Sequence, residues 1–324
     1  MRKFKSIANL TATAGVVAAV GIMSSGAALA QKSKDTLRFG LYQPLKILDR
    51  IYNPHPETNL TAPAVYDNLM FYDAAERKYK PQLAVSWKRL NATSMEFKLR
   101  KGVKYHDGSD FDADDVVYMV NFVTNPKTKF RFKGSRFGWI KSVEKIDRYT
   151  VRFHSKGPHA GMMSRLATAL PIYPSDVHGA LKTKSDFGRN PVGTGPYKVT
   201  KVDPNRGIFF EKNENYYAGS KPAGIVGKLI ALPIPDKQSQ IAQLMSGGLD
   251  IMYNVPKDQG ENLAKMPNLS ISVTPTVSFV YVLFDAADRS GFGHFKNLKV
   301  RQAVLHAINR PALVKALVPK QLHG

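Results

Sequence analysis

The 324-residue sequence contains no cysteine. Disulfide bonds and thiolate metal sites are therefore excluded, and a chain of this length has to be stabilised by burying a sizeable hydrophobic core. The sequence likewise offers no cysteine for lipid attachment. Beyond the first thirty residues, no apolar run approaches the length that spans a bilayer. We therefore expect a soluble protein.

Acidic residues are scarce, with 25 Asp and Glu against 47 Lys and Arg, a formal net charge of +22. Such an excess can indicate nucleic acid, an anionic membrane or an acidic ligand as the partner. The densest basic stretch is KTKFRFKGSR (127–136), in which Phe130 and Phe132 interrupt the charges. Platforms for single-stranded nucleic acid and ordinary solvated loops share this composition. We favour a solvated loop and expect no nucleic-acid partner.

The N-terminus has the three parts of a secretory signal. Arg2, Lys3 and Lys5 precede an uncharged stretch with an apolar centre at 15–23, and Ala28-Leu29-Ala30 supplies a small-residue cleavage site. The stretch is rich in Gly, Ser, Thr and Ala, which makes it too weakly apolar to favour a membrane anchor. We predict cleavage after Ala30 and an exported product.

Strand and helix patterns alternate along the rest of the chain, which predicts the α/β class with several antiparallel hairpins. Strands are predicted at 36–42, 95–100 and 249–255, hairpins at 139–155 and 196–213, and helices at 61–70, 236–246, 297–308 and 311–318. Asp236 and Asn297 are the predicted N-caps of two of these helices.

The stretch HDGSDFDADD (106–115) is the most acidic in the chain. As a calcium loop starting at Asp110 it would have Asp115 where the sixth position needs glycine and Asn121 where the twelfth needs glutamate. Zinc sites need several His or Cys at short spacing, and His106 stands alone here. A metal site or a carboxylate pair for acid–base chemistry therefore remains only an alternative.

A helix start uses more of these residues. Asp112 stands at an N-cap position and Asp115 follows three residues later, as in a capping box. Val116, Val120 and Val123 then form one apolar stripe. We favour this structural interpretation.

No other motif indicates catalysis. NPVGTGPY (190–197) lacks the Lys-Ser/Thr of a phosphate-binding loop, and Pro196 leads into a strand, so a tight turn is favoured. The sequence shows no nucleophile elbow and no HExxH pattern. We predict no catalytic residue, no metal and no cofactor, and we do not expect an enzyme.

The segment LRKGVKYHDGSDFDADDVVYMV resembles the signature of the family 5 extracellular solute-binding proteins, the dipeptide, oligopeptide and nickel receptors of bacterial ABC importers. Further blocks are similar in the same order from about residue 36 to the end: AVYDNLMFYDAAERKYKPQLAVSWKRL, NPVGTGPYKV, FEKNENYYAG, IPDKQSQIAQLMSGGLDI and LKVRQAVLHAIN.

The resemblance implies a type II periplasmic binding protein with two α/β lobes around a ligand cleft. Residues 31–59 and 188–270 would form lobe one, 60–187 an extra subdomain inserted in it, and 271–324 the start of an incomplete lobe two, as in a truncated chain. It further implies a periplasmic monomer that binds a small, peptide-like solute and delivers it to permease subunits in the inner membrane.

Two departures from the family pattern concern the site. Arg50 follows Leu48-Asp49 where the family usually has proline, and Asp285 follows Phe284 where Asn is common. A carboxylate there would favour a cationic group, although a solvated strand end is an alternative. The expected ligand residues are Tyr42, Arg136, Trp139 and Asp285.

Alternatives remain open for both the residues and the function. Trp139 offers a stacking face or an apolar wall, but it could instead belong to the subdomain core. An exported metal-dependent hydrolase using His106 and the nearby aspartates is the main alternative function, and a basic interaction protein is a third.

Overall fold

The computed structural model describes residues 35–217, 219–273 and 281–317. The predicted signal sequence lies outside these residues, as does the chain from 318 onward. The chain divides into two compact units, one up to Ile251 and one from Met252. None of the helices in the described ranges is long and apolar enough to cross a membrane.

The first unit contains the strands and six of the described helices. The strands are β1 (Thr36–Leu41), β2 (Met70–Asp73), β3 (Lys78–Pro81), β4 (Ala84–Arg89), β5 (Ser94–Leu99), β6 (Ile140–Asp147), β7 (Thr150–Ser155), β8 (Tyr197–Asp203), β9 (Gly207–Lys212) and β10 (Lys228–Pro233). The helices are α1 (Pro56–Val65), α2 (Ala113–Thr124), α3 (Lys133–Phe137), α4 (Met162–Thr168), α5 (Ser175–Ala180) and α6 (Lys237–Ser246).

One sheet joins the two ends of this unit in the order β1-β10-β9-β8. β1 and β10 are parallel, with Thr36 opposite Lys228, and the other pairs are antiparallel. β1 precedes the predicted insertion at 60–187 and β8–β10 follow it, whereas β4–β7 form their own sheet inside it. The lobe and subdomain boundaries stay predictions.

The second sheet has the order β4-β5-β7-β6 and is antiparallel throughout. Phe97 and Phe153 are fully buried in it and meet edge to face, with ring centroids 5.5 Å apart. α2 packs against β6 and β7 and buries Val116, Val120 and Val123, the predicted apolar stripe. Burial of this stripe stabilises the helix more than its intrinsic propensity does.

The local predictions were accurate where chain-adjacent residues decide the structure. Both hairpins are present, as β6–β7 and β8–β9. The helix after Asp236 is α6, whose cap Asp236 accepts a hydrogen bond from the Ser239 amide at 2.7 Å and which ends at Gly247 with a left-handed φ of 79°. Glycine adopts that conformation without steric cost.

Two predicted elements were wrong. The helix predicted at 61–70 is α1, which ends at Val65 because Tyr66 has an extended backbone and Met70 already pairs in β2. The strand predicted at 249–255 is reduced to a single bridge between Ile251 and Phe39. Before the turn at Asp107, the chain forms one bridge, between Lys104 and Asp110.

The second unit contains α7 (Lys257–Leu263), α8 (Leu298–Ala307) and α9 (Arg310–Leu317). Asn297 caps α8 as predicted, since its Oδ1 accepts a hydrogen bond from the Lys299 amide at 2.9 Å. α9 corresponds to the helix predicted at 311–318. Leu298, Leu313 and Leu317 are exposed on these two helices.

Candidate functional site

The acidic stretch forms the start of α2. Asp112 Oδ1 accepts a hydrogen bond from the Asp114 amide at 2.8 Å, and the Asp112 amide donates to Asp115 Oδ2 at 3.1 Å. This is the reciprocal capping box that the sequence predicted. Asp115 Oδ1 also accepts from the Ser175 amide at 2.7 Å, which ties the start of α5 to α2. The aspartates therefore serve the fold.

Replacing Asp112 with alanine is expected to lower the free energy of unfolding by about 1 kcal/mol, because the cap acceptor is lost. Asp112→Asn is the matched control, since it keeps the acceptor oxygen and should stay close to the parent protein. Urea denaturation measures both. Calcium and zinc should leave the melting temperature unchanged, and a metal-dependent rise that Asp112→Ala abolishes would contradict the capping role.

His106, at the start of the acidic stretch, has a structural role as well, because its ring binds the backbone of the glycine turn at 193–195. Its Nε2 donates to the Gly195 carbonyl at 2.9 Å, and its Nδ1 accepts from the Gly193 amide at 3.3 Å. Both nitrogens are therefore engaged, and the ring is held in its neutral Nε2–H form. Burial, the largest cause, lowers the pKa of His106 to about 4. This geometry gives no support to the hydrolase alternative, because neither nitrogen is available to a metal or a proton.

The Gly-Thr-Gly stretch is a packing turn. A Cβ at Gly195 would lie 2.6 Å from the Ala64 carbonyl oxygen, and the Gly195 amide donates to the Val65 carbonyl at 2.8 Å. Glycine is needed because the turn lies directly on the end of α1. The preference for a tight turn leading into a strand is confirmed, since Tyr197 begins β8.

The four predicted ligand residues lie in different places. Tyr42 follows β1 directly and has Lys237 Nζ 5.1 Å from its ring centroid. Arg136 lies in α3, and Trp139 lies directly before β6, so both precede that strand. The structure brings these two together, since Trp139 Nε1 donates to the Arg136 carbonyl at 3.0 Å.

Asp285 lies in the second unit, and its carboxylate shapes a turn. It accepts hydrogen bonds from the Arg289 amide at 3.0 Å and from the amide and hydroxyl of Ser290, both at 2.7 Å. The Ser290 hydroxyl contributes most to lowering the pKa of Asp285, followed by these amides. The carboxylate is therefore ionised and already has three donors.

Arg136 is part of a concentration of positive charge. Its Nη1 donates to the Arg50 carbonyl at 3.0 Å, and the Arg50 amide donates to the Tyr173 hydroxyl at 3.3 Å. Burial, the largest cause, lowers the pKa of both arginines. The positive charge of Arg136 lowers the pKa of Arg50 further, and that of Arg165 in α4 lowers the pKa of Arg136.

None of these three arginines forms an ion pair with a carboxylate in the part of the chain that the structure describes. In the described ranges, the arginines that form ion pairs are Arg38, Arg148, Arg152 and Arg189. Arg50 Nε is buried with no hydrogen-bond partner in the described part of the chain. Arg50 and Arg136 repel each other, as do Arg136 and Arg165, and a partly buried charge without a carboxylate costs free energy.

An aromatic wall adjoins the arginines. Trp139 stacks on His159 with the rings 5.0 Å apart and 8° from parallel. His159 Nε2 is buried, and no described residue forms a hydrogen bond with it. We call Arg50, Arg136, Arg165, Trp139 and His159 together the arginine cluster. The sequence interpretation missed three of its members, Arg50, His159 and Arg165, as site residues, although Arg50 had appeared as a departure from the family pattern.

Two cavities lie elsewhere in the first unit. One of about 230 Å³ is lined by His106, Asn190 and Lys198 among others, and one of about 530 Å³ by Tyr118 and Lys127 among others. Neither is lined by any of the four predicted ligand residues.

Two solved structures have the same fold. NikZ from Campylobacter jejuni, in complex with Ni(L-His), aligns with a TM-score of 0.78 and 26% identity over 87% of this chain and 55% of that protein. The periplasmic binding protein DppA from Helicobacter pylori, ABC transporter-associated and in complex with the peptide STSA, aligns with a TM-score of 0.75 and 24% identity over 87% and 58%. The α/β periplasmic binding protein fold is confirmed, and the second lobe is incomplete relative to these structures.

The sequence comparisons agree. The oligopeptide-binding protein AppA of Bacillus subtilis is 30% identical over 245 residues, which is 74% of this chain and 44% of that protein. The chain thus spans about half the length of the relatives that it matches. Residues 78–322 match the model of the bacterial extracellular solute-binding proteins, family 5 Middle. Members of this family bind solutes and are not enzymes, and the chain belongs to the bacterial extracellular solute-binding proteins of family 5.

Proposed function

We propose that this chain is the substrate-binding component of a bacterial ABC importer and holds a peptide or a similar small solute between two lobes. The observation that carries this proposal is the family match over 78–322. The same fold in two ligand-bound relatives supports it, as does the structural role of His106 and the aspartates. In this role the chain acts as a receptor and catalyses no reaction.

The finer parts of the proposal concern the location of the protein, its partners and the arrangement of its lobes. The protein is exported through its cleaved N-terminal signal, works in the periplasm as a monomer and delivers its solute to permease subunits in the inner membrane. Residues 31–59 and 188–270 form lobe one around the inserted subdomain 60–187, and 271–324 begin lobe two. The discontinuous sheet of β1 and β8–β10 supports this arrangement.

Mass spectrometry of small molecules released from the purified protein tests the function. We expect one solute, or one class of solutes, to be retained through purification and released chemically unchanged on denaturation. Release of a chemically converted product after incubation would instead indicate an enzyme. A protein that carries no solute, and whose melting temperature no peptide or metabolite pool raises, would contradict the proposal.

Tyr42, Arg136, Trp139 and Asp285 are the proposed ligand residues. Alanine at each should weaken binding of the identified solute, by roughly tenfold or more for the two charged residues, whose hydrogen bonds to ligand are charge-assisted. Calorimetry measures affinity, and the melting temperature checks folding. Unchanged affinity in all four variants would show that the site lies elsewhere.

A further inference from the structure

We propose that the larger of the two cavities binds a small organic phosphate ester, with the phosphate among lysines and the carbon part against aromatic rings. We call it the lysine cavity. It has a volume of about 530 Å³, and none of the four proposed ligand residues lines it. The site is therefore additional to the proposed solute site, and the inference goes beyond the proposed function.

The lining of the lysine cavity carries positive charge without a balancing acid. Lys127 and Lys129 come from the loop after α2, and Lys182 and Lys184 from the segment after α5. The described residues that line the cavity include no Asp or Glu. In the described ranges, the lysines that form ion pairs are others, namely Lys80, Lys98, Lys104, Lys145, Lys201, Lys212, Lys221 and Lys296. An anion in the cavity is therefore attracted by several ammonium groups at once.

Neighbouring acids leave this charge unpaired. The sequence has no Asp or Glu from 116 to 143 or from 177 to 185, the segments that supply the lysines. Burial and, after it, the charge of Asp49 raise the pKa of Tyr52, which also lines the cavity. The Asp49 carboxyl is itself buried and accepts from the Ile51 amide at 2.6 Å. It is thus engaged in a turn and, in the described part of the chain, forms no ion pair with the lysines.

The backbone that carries the lysines is held in place. Lys184 Nζ donates to three carbonyls at the end of α5, at 2.6 to 3.1 Å, so it contributes charge to the cavity but no free donor. The loop that carries Lys127 and Lys129 is fixed by Lys133, whose Nζ donates to the Thr128 carbonyl at 2.8 Å. A site on such preorganised backbone binds at a lower cost in ordering than a flexible loop does.

The kind of cation favours phosphate. Lysine offers a compact charge with three donors, whereas the planar fork of arginine matches planar carboxylates. A phosphate monoester carries about −1.5 to −2 charges near neutral pH and has three strong acceptor oxygens. The exposed ammonium groups of Lys127, Lys129 and Lys182 can each donate to one of these oxygens.

The cavity has room for more than a phosphate, and three aromatic rings line it as well. Its volume falls within the roughly 300–1,000 Å³ of sites for small organic molecules. The Phe122 ring lies 6.3 Å from that of Tyr118, 10° from parallel, and 6.2 Å from that of Tyr52. The Tyr118 hydroxyl lies 2.5 Å from His178 Nδ1, and burial, the largest cause, raises the pKa of Tyr118 to about 12. These rings are therefore neutral and can pack against a flat organic group beside the phosphate.

Calorimetry with adenosine monophosphate and adenosine tests the site in the full chain. Both probes carry the same flat base and differ in the phosphate. We expect the monophosphate to bind with saturation and adenosine to bind at least roughly tenfold more weakly, the usual effect of losing charge-assisted hydrogen bonds. Inorganic phosphate should also bind more weakly, since it lacks the group that packs on the rings. Phosphatidylglycerol vesicles, tested in parallel by sedimentation, show whether the chain prefers the phosphate of a membrane surface.

Variants separate the cavity from general attraction by a basic protein. Lys127→Ala and Lys182→Ala should each weaken binding of the monophosphate roughly tenfold, whereas Lys182→Arg keeps the charge and should retain most of the affinity. Lys88→Ala is the matched control, because Lys88 is an exposed lysine of β4 that lines neither cavity. Tyr52→Leu should weaken the monophosphate and adenosine alike and leave inorganic phosphate unchanged. The melting temperature checks that each variant folds.

Each outcome supports or overturns the inference. Preference for the monophosphate that Lys127→Ala and Lys182→Ala reduce, with Lys88→Ala neutral, supports it. Monophosphate binding no tighter than that of adenosine or inorganic phosphate would overturn it. Equal effects of Lys182→Ala and Lys88→Ala would do the same, because they would indicate general attraction by a chain of net charge +22.

Two further results would place the phosphate elsewhere. Binding to vesicles without binding of the monophosphate would make a membrane surface the partner and overturn the inference. Arg136→Ala changes a proposed ligand residue and should leave binding of the monophosphate unchanged. A loss as large as that of Lys182→Ala would assign the monophosphate to the solute site, and the lysine cavity would then have no ligand of this class.

Discussion

Replacing Asp67 with alanine is expected to lower the free energy of unfolding by about 3–5 kcal/mol, the usual cost of breaking a buried charge pair from one side. The Asp67 side chain is inaccessible to solvent. Its Oδ1 accepts from Gln82 Nε2 at 3.0 Å and pairs with Lys221 Nζ at 2.5 Å. Its Oδ2 accepts from the Thr194 hydroxyl at 3.0 Å and the Tyr217 hydroxyl at 2.8 Å.

The size of this effect follows from what the variant leaves behind. The Lys221 side chain is only 14% exposed, so its ammonium would stay largely buried after its carboxylate is gone. The Thr194 and Tyr217 hydroxyls and the Gln82 amide would each lose an acceptor, although Gln82 Nε2 still has Tyr216 and Tyr217 in reach. A buried donor without a partner costs about 1–3 kcal/mol.

Urea denaturation followed by circular dichroism measures the loss. Asp186→Ala is the matched control, because Asp186 pairs with Arg189 at 3.3 Å on an exposed face where such a pair contributes about 0–1 kcal/mol. The double variant Asp67→Ala, Lys221→Met should recover part of the loss, since it removes the stranded charge. A loss below about 1 kcal/mol in Asp67→Ala would show that water or a local rearrangement satisfies these groups.

The sequence predicted features that neighbouring residues determine. Asp112, Asp236 and Asn297 each stand where a short polar side chain meets the first free amides of a helix, and all three cap in the structure. The hairpin turns at Asp147 and Asp203 are equally local. Such features need only a few residues to be adjacent along the chain, and a one-dimensional pattern contains that information.

Contacts between distant segments could not be predicted in this way. Asp67 meets Thr194 across 127 positions, and Arg136 meets Arg50 across 86. Nothing in the local sequence around Asp67 distinguishes it from an exposed aspartate, and Arg165 lies in a short helix with no motif. The wrong strand at 249–255 has the same origin, since an apolar pattern does not show that, within this described stretch, Ile251 alone forms a β-bridge with β1.

The arginine cluster shows where resemblance to a family helps and where it stops. Motifs placed the chain in its family, but they mark the scaffold, as the aspartates of the capping box do. Arg136 and Trp139 are in contact, while Arg50 and His159, which contact them, lie outside the predicted set of ligand residues. Arg165, whose charge acts on Arg136, lies outside it as well.

The second large expected effect is a change in the free energy of unfolding with pH. His106 and His178 both have a pKa lowered to about 4 by burial, the largest cause for each. In the unfolded chain a histidine titrates near 6.5. Between these values the unfolded state binds more protons, so the contribution of each histidine to stability is complete above pH 6.5 and is lost as the pH falls towards 4. Each loss amounts to about 3 kcal/mol at its full extent.

The surroundings of His178 show why burial lowers its pKa. It is inaccessible to solvent, its Nδ1 lies 2.5 Å from the Tyr118 hydroxyl, and the rings of Tyr173 and Phe187 pack against it. Its Nε2 is buried without a hydrogen-bond partner in the described part of the chain. A second proton on this ring would place a charge among aromatic side chains, which burial disfavours.

The contribution of Asp49 to stability changes with pH in the opposite direction to that of the two histidines. Burial raises its pKa from 3.8 to about 6, so the folded protein binds the extra proton. Its contribution to stability is therefore complete below pH 3.8 and is lost as the pH rises through 6. Burial raises the pKa of Asp115 as well. In the parent protein, the free energy of unfolding therefore contains contributions that rise with pH and contributions that fall with pH. Single variants are needed to separate them.

We expect His106→Gln and Asp49→Asn to change the pH dependence of stability in opposite directions. His106→Gln should make the rise of unfolding free energy with pH shallower by up to about 1.4 kcal/mol per pH unit near pH 5, since one proton-binding group of the unfolded state is gone. Asp49→Asn should make the rise steeper by a similar amount. Glutamine can still donate to the Gly195 carbonyl, and asparagine can still accept from the Ile51 amide, so both variants keep a key contact.

Urea titrations at several pH values between 4 and 6.5 give these slopes, and the difference between variant and parent cancels every group that the two share. His55→Gln, at an exposed position, is the control for removing an imidazole without disturbing the turn at Gly193 and Gly195. Parallel curves for the parent and His106→Gln would mean that His106 takes up its proton in the folded state as readily as in the unfolded one. The neutral ring that joins the acidic stretch to the glycine turn would then be the wrong description of this contact. Slope changes of opposite sign for His106→Gln and Asp49→Asn would instead establish that the two groups contribute to the pH dependence of stability in opposite directions.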